Sequence, residues 1–303
     1  MVQTSISNKM KKIDIVPVVF GAAGNKNGAE LGACDICSFA KRHSEVNIHP
    51  EIRSSFSDKL KGIDCLDAVI EICKETKKEV SESLLMGNKT FIAGGDHSIA
   101  LGSISAAAEV AGSLGESFGV IYLDAHGDMN TLENSFTKNI HGMTLAAAMN
   151  IGDSRMTSLA SAPLSSRKLL LLATRSLDWG EEELILQRNI KVVDSNTING
   201  WADNLSDRIK SIVNDFIFAN DIRRIHFSID IDAVDPKEAP ATGVPENNGI
   251  STNAFYSIIR EVLSSRKVFS VDLVEYNPLL DIKGRTSQIC QKAVDIILSG
   301  LAG

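Results

Sequence analysis

Short aliphatic runs, several of them stopping abruptly at aspartate, histidine or glutamate, are what most restricts how this chain can fold. They lie at Ile13 to Phe20, Thr90 to Ala93, Phe118 to Leu123, Lys168 to Ala173, Ile190 to Val193, Arg224 to Ile231 and Val268 to Leu273. Runs this apolar suit strands covered from two sides, which is the setting of a parallel sheet flanked by helices. Amphipathic stretches fill the intervals. Ile63 to Leu85 sets Leu66, Val69, Ile70, Cys73, Val80 and Leu84 at three- and four-residue steps against Lys and Glu, as in a helix laid on a sheet. Leu145 to Met149, Asn204 to Phe218, Asn253 to Leu263 and Thr286 to Leu301 read similarly. The expected class is α/β, with a mostly parallel central sheet and helices on both faces.

A chain of 303 residues is long for one domain, yet no repeat, low-complexity tract or long Pro/Gly/Ser linker divides it, so a single domain over 1–303 is expected. Hydrophobic residues at 44% and charged residues at 23% are enough for a sizeable core and exclude disorder as the main state. No apolar run reaches the ~18 to 20 residues that cross a bilayer. Met1 to Lys12 is polar and lacks an apolar signal core, so neither membrane insertion nor secretion is expected. With 31 Lys and Arg against 38 Asp and Glu, the net charge of -7 makes nucleic acid a poor partner. Five cysteines do not form an obvious disulfide framework, which points to a reducing compartment, the cytoplasm. Cys34 and Cys37 make a Cys-x-x-Cys, but no second ligand pair lies nearby and Ala33, Ile36 and Phe39 surround it with helix-like apolar spacing. Cys65, Cys73 and Cys290 sit among aliphatic residues, and all five are expected to pack.

Four runs lead into groups that bind metals. Thr90 to Ala93 enters Gly94-Gly95-Asp96-His97-Ser98, and Phe118 to Leu123 enters Asp124-Ala125-His126-Gly127-Asp128. In the second cluster strand alternation would send three polar side chains the same way. Arg224 to Ile231 carries Asp230, followed by Asp232 and Asp235-Pro236, and Val268 to Leu273 ends at Val274-Glu275-Tyr276-Asn277-Pro278. Singly, His97 could cap the following helix, and Asp124 or Asp235 a turn. As a set, carboxylates beside Ile121, Leu123, Ile229 and Ile231 would repel one another in a buried place unless cations neutralise them.

One divalent ion leaves excess negative charge. Two offset Asp124, Asp128, Asp230 and Asp232 and keep His97 and His126 as neutral nitrogen ligands. Oxygen-rich ligation with some imidazole favours manganese, with cobalt, iron or zinc as other candidates. A hydroxide held between two such ions is a strong nucleophile at neutral pH, which implies hydrolysis. His226 lies at the start of its strand, away from the ligand edge, and reads as structural.

Gly-Gly-Asp-His-Ser at 94–98, Asp-Ala-His-Gly-Asp at 124–128 and Ser-Ile-Asp-Ile-Asp-Ala-Val-Asp-Pro at 228–236 together resemble the ureohydrolase superfamily, and within it the arginases. The likeness runs over nearly the whole chain. It implies a three-layer α/β/α fold, a homotrimer or homohexamer, and two manganese ions per chain. His97, Asp124, Asp128 and Asp230 would hold one ion, and His126, Asp124, Asp230 and Asp232 the other.

The resemblance also implies that L-arginine is hydrolysed to L-ornithine and urea. Asn130, Thr137 and Asn139 match the groups that receive the substrate's α-carboxylate. Asp178 and Glu181 match the pair facing its α-amino group, and Glu275 the carboxylate that anchors the guanidinium. Asp128 would orient the hydroxide, and His141 is the candidate proton shuttle. Pro240-Ala241-Thr242-Gly243 has the arginase form. Thr137 stands where serine is commoner, Val244 where threonine is usual, and Phe136 and Lys138 where smaller residues are frequent. The rival readings are another ureohydrolase, acting on agmatine, guanidinobutyrate or a formimino compound, and an inactive metal-binding subunit used for assembly or regulation.

Overall fold

A computed structural model describes residues 13–56, 60–201 and 204–303, so the Met1 to Lys12 stretch lies outside the described residues. In chain order the strands are β1 (Ile13–Val19), β2 (Val46–Ile48), β3 (Ile52–Arg53), β4 (Lys89–Ala93), β5 (Phe118–Leu123), β6 (Leu169–Leu172), β7 (Lys191–Val193), β8 (Arg224–Asp230) and β9 (Val268–Val274). They join in the order β2-β1-β4-β9-β8-β5-β6-β7, with β3 paired to β1, and every pairing is parallel. The aliphatic runs became the buried body of the sheet, except Ile190 to Val193, which forms the partly exposed edge strand β7. β2 and β3 had no such run to announce them; they are short, partly exposed strands defined by docking against β1.

The helices are α1 (Ala29–Ala40), α2 (Leu66–Leu85), α3 (Ala100–Ser113), α4 (Thr144–Ala148), α5 (Ser154–Thr157), α6 (Trp179–Arg188), α7 (Ser195–Asn199), α8 (Leu205–Ala219), α9 (Thr252–Ser264) and α10 (Arg285–Ala302). Helices α1, α8, α9 and α10 press Ile36, Phe216, Phe255, Ile259 and Val294 onto one face of the sheet. Helices α2, α3 and α4 cover the other with Val69, Ile72, Leu101, Ile104 and Leu145, giving three layers. Helix α3 escapes a reading by periodicity because it is buried nearly all round and has almost no polar face to mark a repeat. It lies so close to α2 that a Cβ on Gly102 would fall 2.6 Å from the Cys73 carbonyl oxygen. Helix α6 is missed for the opposite reason, since Glu181 is its one buried residue. The five cysteines are free thiols, and Cys37, Cys65, Cys73 and Cys290 are buried.

Two consequences of this fold place the site. Strand alternation turns Ile225, Phe227 and Ile229 toward the α8–α10 layer, and His226, Ser228 and Asp230 the other way, toward α3. The four strands that lead into acidic clusters, β4, β9, β8 and β5, are consecutive neighbours in the sheet. Their carboxyl ends therefore meet at one stretch of sheet edge, where α/β sheets bind ligands. Among the described residues no helix is long and apolar enough to cross a membrane.

Candidate functional site

The turn after β4 is made by glycine. A Cβ on Gly95 would sit 1.7 Å from the Phe20 carbonyl oxygen, so only glycine lets the end of β1 pass this closely, where Asp96 N donates to that same oxygen at 2.9 Å. The helical turn that follows is capped by Asp96 and not by His97. The Asp96 carboxylate accepts Ser98 N at 3.0 Å, Ser98 Oγ at 2.5 Å and Ala23 N at 2.8 Å. His97 is thereby free to turn its Nδ1 inward, to 2.9 Å from Asp124, 3.1 Å from Asp230 and 3.3 Å from Asp128.

Beyond β5 the chain stays extended for a few residues. Asp124 N bonds Leu172 O at 3.0 Å, and the Ala125 carbonyl accepts Arg175 N and Ser176 N. Asp128 then turns with a left-handed φ of 50°. The three polar side chains thus reach one centre by a ladder and a strained turn, not by alternation alone. Asp230 is the last residue of β8, and its Oδ1 accepts Asp232 N at 2.7 Å, which closes a helical turn and brings Asp232 back to the same place. His126 Nδ1 lies 3.0 Å from Asp232 and 3.5 Å from Asp124. Two ligand groups come within reach of a metal ion, His97 with Asp124 and Asp128, and Asp124 with His126 and Asp232; Asp124 belongs to both.

The electrostatics of this cluster call for cations. Burial opposes charge on Asp128, Asp230 and Asp232 and, with repulsion from neighbouring aspartates, pushes all three carboxyls up, Asp128 to about 6. Burial disfavours charge on His97 and His126 too, but the surrounding aspartates outweigh it and hold both imidazoles well above their ordinary range. Asp124, between the two histidines, is drawn down despite its burial. Behind His97, Nε2 meets Ser228 Oγ at 2.8 Å, and Ser228 Oγ donates onward to Asp272 Oδ1 at 2.5 Å. With its one proton given to Asp272, Ser228 can only accept from His97, which assigns the imidazole proton to Nε2. A bare lone pair on His97 Nδ1 would face three carboxylates, a contact that only a proton or a metal ion on that nitrogen makes attractive. The buried Asp124 Oδ2 makes no hydrogen bond. These residues fit divalent cations.

Several supporting groups were not anticipated. Tyr122 stacks on His97 at 4.5 Å between ring centres and donates to Asp128 Oδ2 at 2.7 Å. Its place on β5, two residues before Asp124, was the available signal. Asp272 accepts from Ser228, Ser103 at 2.8 Å and His226 at 2.9 Å. His226, expected to be structural, is fully buried in this network, bonded also to Ser270 at 2.7 Å, away from the pocket.

The pocket above the cluster is a cavity of about 190 Å³ lined by His97, His126, Asp128, Asn130, Thr137, Asn139, His141, Asp178, Glu181, Asp230, Asp232, Val244, Glu246 and Glu275. Glu275 follows β9 with a left-handed φ of 63°, held by its N–H to Gly95 O at 2.7 Å. Its Oε1 accepts His97 N at 2.8 Å and faces His141 Nδ1 at 3.0 Å. Burial disfavours charge on His141, yet Glu275 raises its pKa to about 9; His141 in turn draws Glu275 below its usual value.

At the mouth, Asn139 Nδ2 donates to Asn25 Oδ1 from the turn after β1. Asn25 lies 114 residues away in sequence, and nothing local marks it. Asn130 Nδ2 bonds Asp178 Oδ2 at 2.8 Å. Glu181 spends one oxygen on Met129 N and the other on Asp178 N, so it ties the loop to the start of α6. Its burial raises its pKa to about 7. Phe136 is 91% exposed, and Lys138 folds back to donate to Leu132 O, which turns both away from the cavity. Val244 supplies a hydrocarbon wall.

A parallel sheet flanked by helices, carrying an aspartate–histidine cluster at the carboxyl ends of adjacent strands, is the frame of a metal-dependent α/β hydrolase. The Arginase family model matches residues 11–299, and the chain belongs to that family. It is 32% identical over 292 residues to an arginase of Staphylococcus aureus, covering 92% of this chain and 94% of the relative. To an arginase of Brevibacillus brevis it is 34% identical over 292 residues, with 92% and 95% covered. The crystal structure of Entamoeba histolytica arginase in complex with L-ornithine superposes with a TM-score of 0.86 at 28% identity, covering 97% of this chain and 98% of that one.

Proposed function

We propose that this enzyme hydrolyses L-arginine to L-ornithine and urea at a centre of two manganese ions. His97, Asp124, His126, Asp128, Asp230 and Asp232 would hold them, with Asp124 and Asp230 shared. Bound there, the ions would supply Lewis acidity and a water of lowered pKa. The observation that carries the reading is the polarity of the pocket: Glu275 beside the cluster at its base, and Asn130, Thr137 and Asn139 around its walls.

The chain's own residues account for the rest. Glu275 keeps Oε1 for His97 N and His141, which leaves its second oxygen for a planar cation. Asn130, Thr137 and Asn139 offer amide and hydroxyl donors to the α-carboxylate, and Asp178, steadied by Glu181, faces the α-amino group. Asp128, anchored by Tyr122, orients the attacking water. His141, kept protonated by Glu275, gives a proton to the departing amine, a poor leaving group otherwise. A single domain, a homotrimer or homohexamer, and a cytoplasmic setting belong to the same reading.

Urea release from L-arginine, agmatine and guanidinobutyrate, and formamide release from a formimino compound, measured after manganese loading, are the test. Preference for L-arginine is expected. Preference for another compound would reassign the substrate, and no turnover of any would favour an inactive subunit.

A further inference from the structure

We infer that Glu246 is the positioning residue for His126, accepting the outer N–H of its imidazole and so completing one half of the metal centre. The inference rests on the two-metal reading above. His126 turns Nδ1 toward Asp232 and Asp124, and its Nε2 points away from them, buried and without a hydrogen bond. The carboxylate facing Nε2 is that of Glu246, whose Oε1 stands 3.8 Å away.

A neutral imidazole that ligates through Nδ1 carries its proton on Nε2, and a buried N–H without an acceptor is costly. A carboxylate behind the ring fixes the tautomer, holds the ring plane and makes the ligating nitrogen more basic. His97 already has such backing from Ser228 and Asp272 inside the sheet. His126 has no equivalent there.

The backbone places Glu246 for this part. Arg175 donates to Glu246 O at 2.8 Å, to Asn247 O at 3.0 Å and to Asp232 O at 2.8 Å, so one guanidinium ties the Glu246 loop to the turn that carries Asp232. The Glu246 side chain is 37% exposed, which leaves its carboxylate room to swing across the remaining gap. One half of the centre is therefore braced from the protein interior and the other from the pocket rim.

The experiment is manganese titration of metal-free protein by calorimetry, with the thermal midpoint of the metal-free forms measured alongside. Wild type is expected to bind two ions. Glu246→Ala should weaken one of the two sites by roughly 10- to 100-fold and leave the other, and the metal-free midpoint, unchanged. Glu246→Gln, whose amide oxygen still accepts Nε2–H, should recover most of the loss. In a His126→Asn background, Glu246→Ala should have no further effect on metal binding. Two unaltered affinities in Glu246→Ala would overturn the inference, as would equal weakening of both sites or a Glu246→Gln variant as weak as Glu246→Ala. Fewer than two ions on wild type would instead overturn the two-metal reading on which it stands.

Discussion

His141 Nδ1 lies 3.0 Å from Glu275 Oε1, and the same oxygen accepts the His97 backbone N–H at 2.8 Å, so one carboxylate braces both the proposed proton donor and the turn of a proposed metal ligand. His141 itself sits outside both ligand groups of the cluster. Removing its ring should therefore affect proton transfer without releasing metal. His141→Ala is expected to lower kcat by roughly 100-fold or more, with metal content after desalting equal to wild type. Loss of metal would place His141 among the ligands.

The same pair sets a pH dependence of stability in the metal-free protein. The folded-state pKa of His141, about 9, lies above its ordinary 6.5, so folding is favoured by the protonated form. That contribution is complete below pH 6.5 while Glu275 is ionised, and is lost as the pH rises through about 9. At 1.36 kcal/mol per unit its size is on the order of 3 kcal/mol. The midpoint of wild type minus that of His141→Asn, followed from pH 6 to pH 10 by calorimetry, should shrink across this window. A constant difference would sink the assignment.

Asp124 is common to both ligand groups, whereas His97 belongs to one. Asp124→Asn is expected to bring manganese close to zero per chain, and His97→Asn close to one. Metal analysis after loading and desalting reads both; one ion retained by Asp124→Asn would contradict a shared ligand.

Substrate choice should depend on the mouth of the pocket. Asn139 lines it and is steadied by Asn25. A hydrogen bond to a charged group such as a carboxylate is worth about 1.5 to 3 kcal/mol. Asn139→Ala should therefore narrow the ratio of kcat/KM for L-arginine over agmatine by roughly 10- to 100-fold, with metal content unchanged. Asn25→Ala should act in the same direction more weakly. An unchanged ratio in Asn139→Ala would remove the loop from specificity.

Much was legible in the sequence because its determinants are local. The aliphatic runs mark their own strands, since a segment buried on both faces must be apolar throughout. The acidic clusters declare themselves by a charge density that a buried place does not tolerate without cations. The order and spacing of the three motifs at Gly94 to Ser98, Asp124 to Asp128 and Ser228 to Pro236 were enough to point to the family to which the chain belongs. What depends on neighbours distant in sequence was not legible. β2 and β3 exist because β1 offers an edge, and α3 lacks a polar face because helix and sheet enclose it. Only the tertiary structure decided that β4, β9, β8 and β5 stand side by side, that Asp128 and Glu275 take left-handed turns, that Asp96 and not His97 caps the helix, and that Asn25 and Glu246 reach the pocket. Local chemistry specifies which residues can bind and react. Their convergence is a property of strand order and loop closure, which single-residue patterns do not encode.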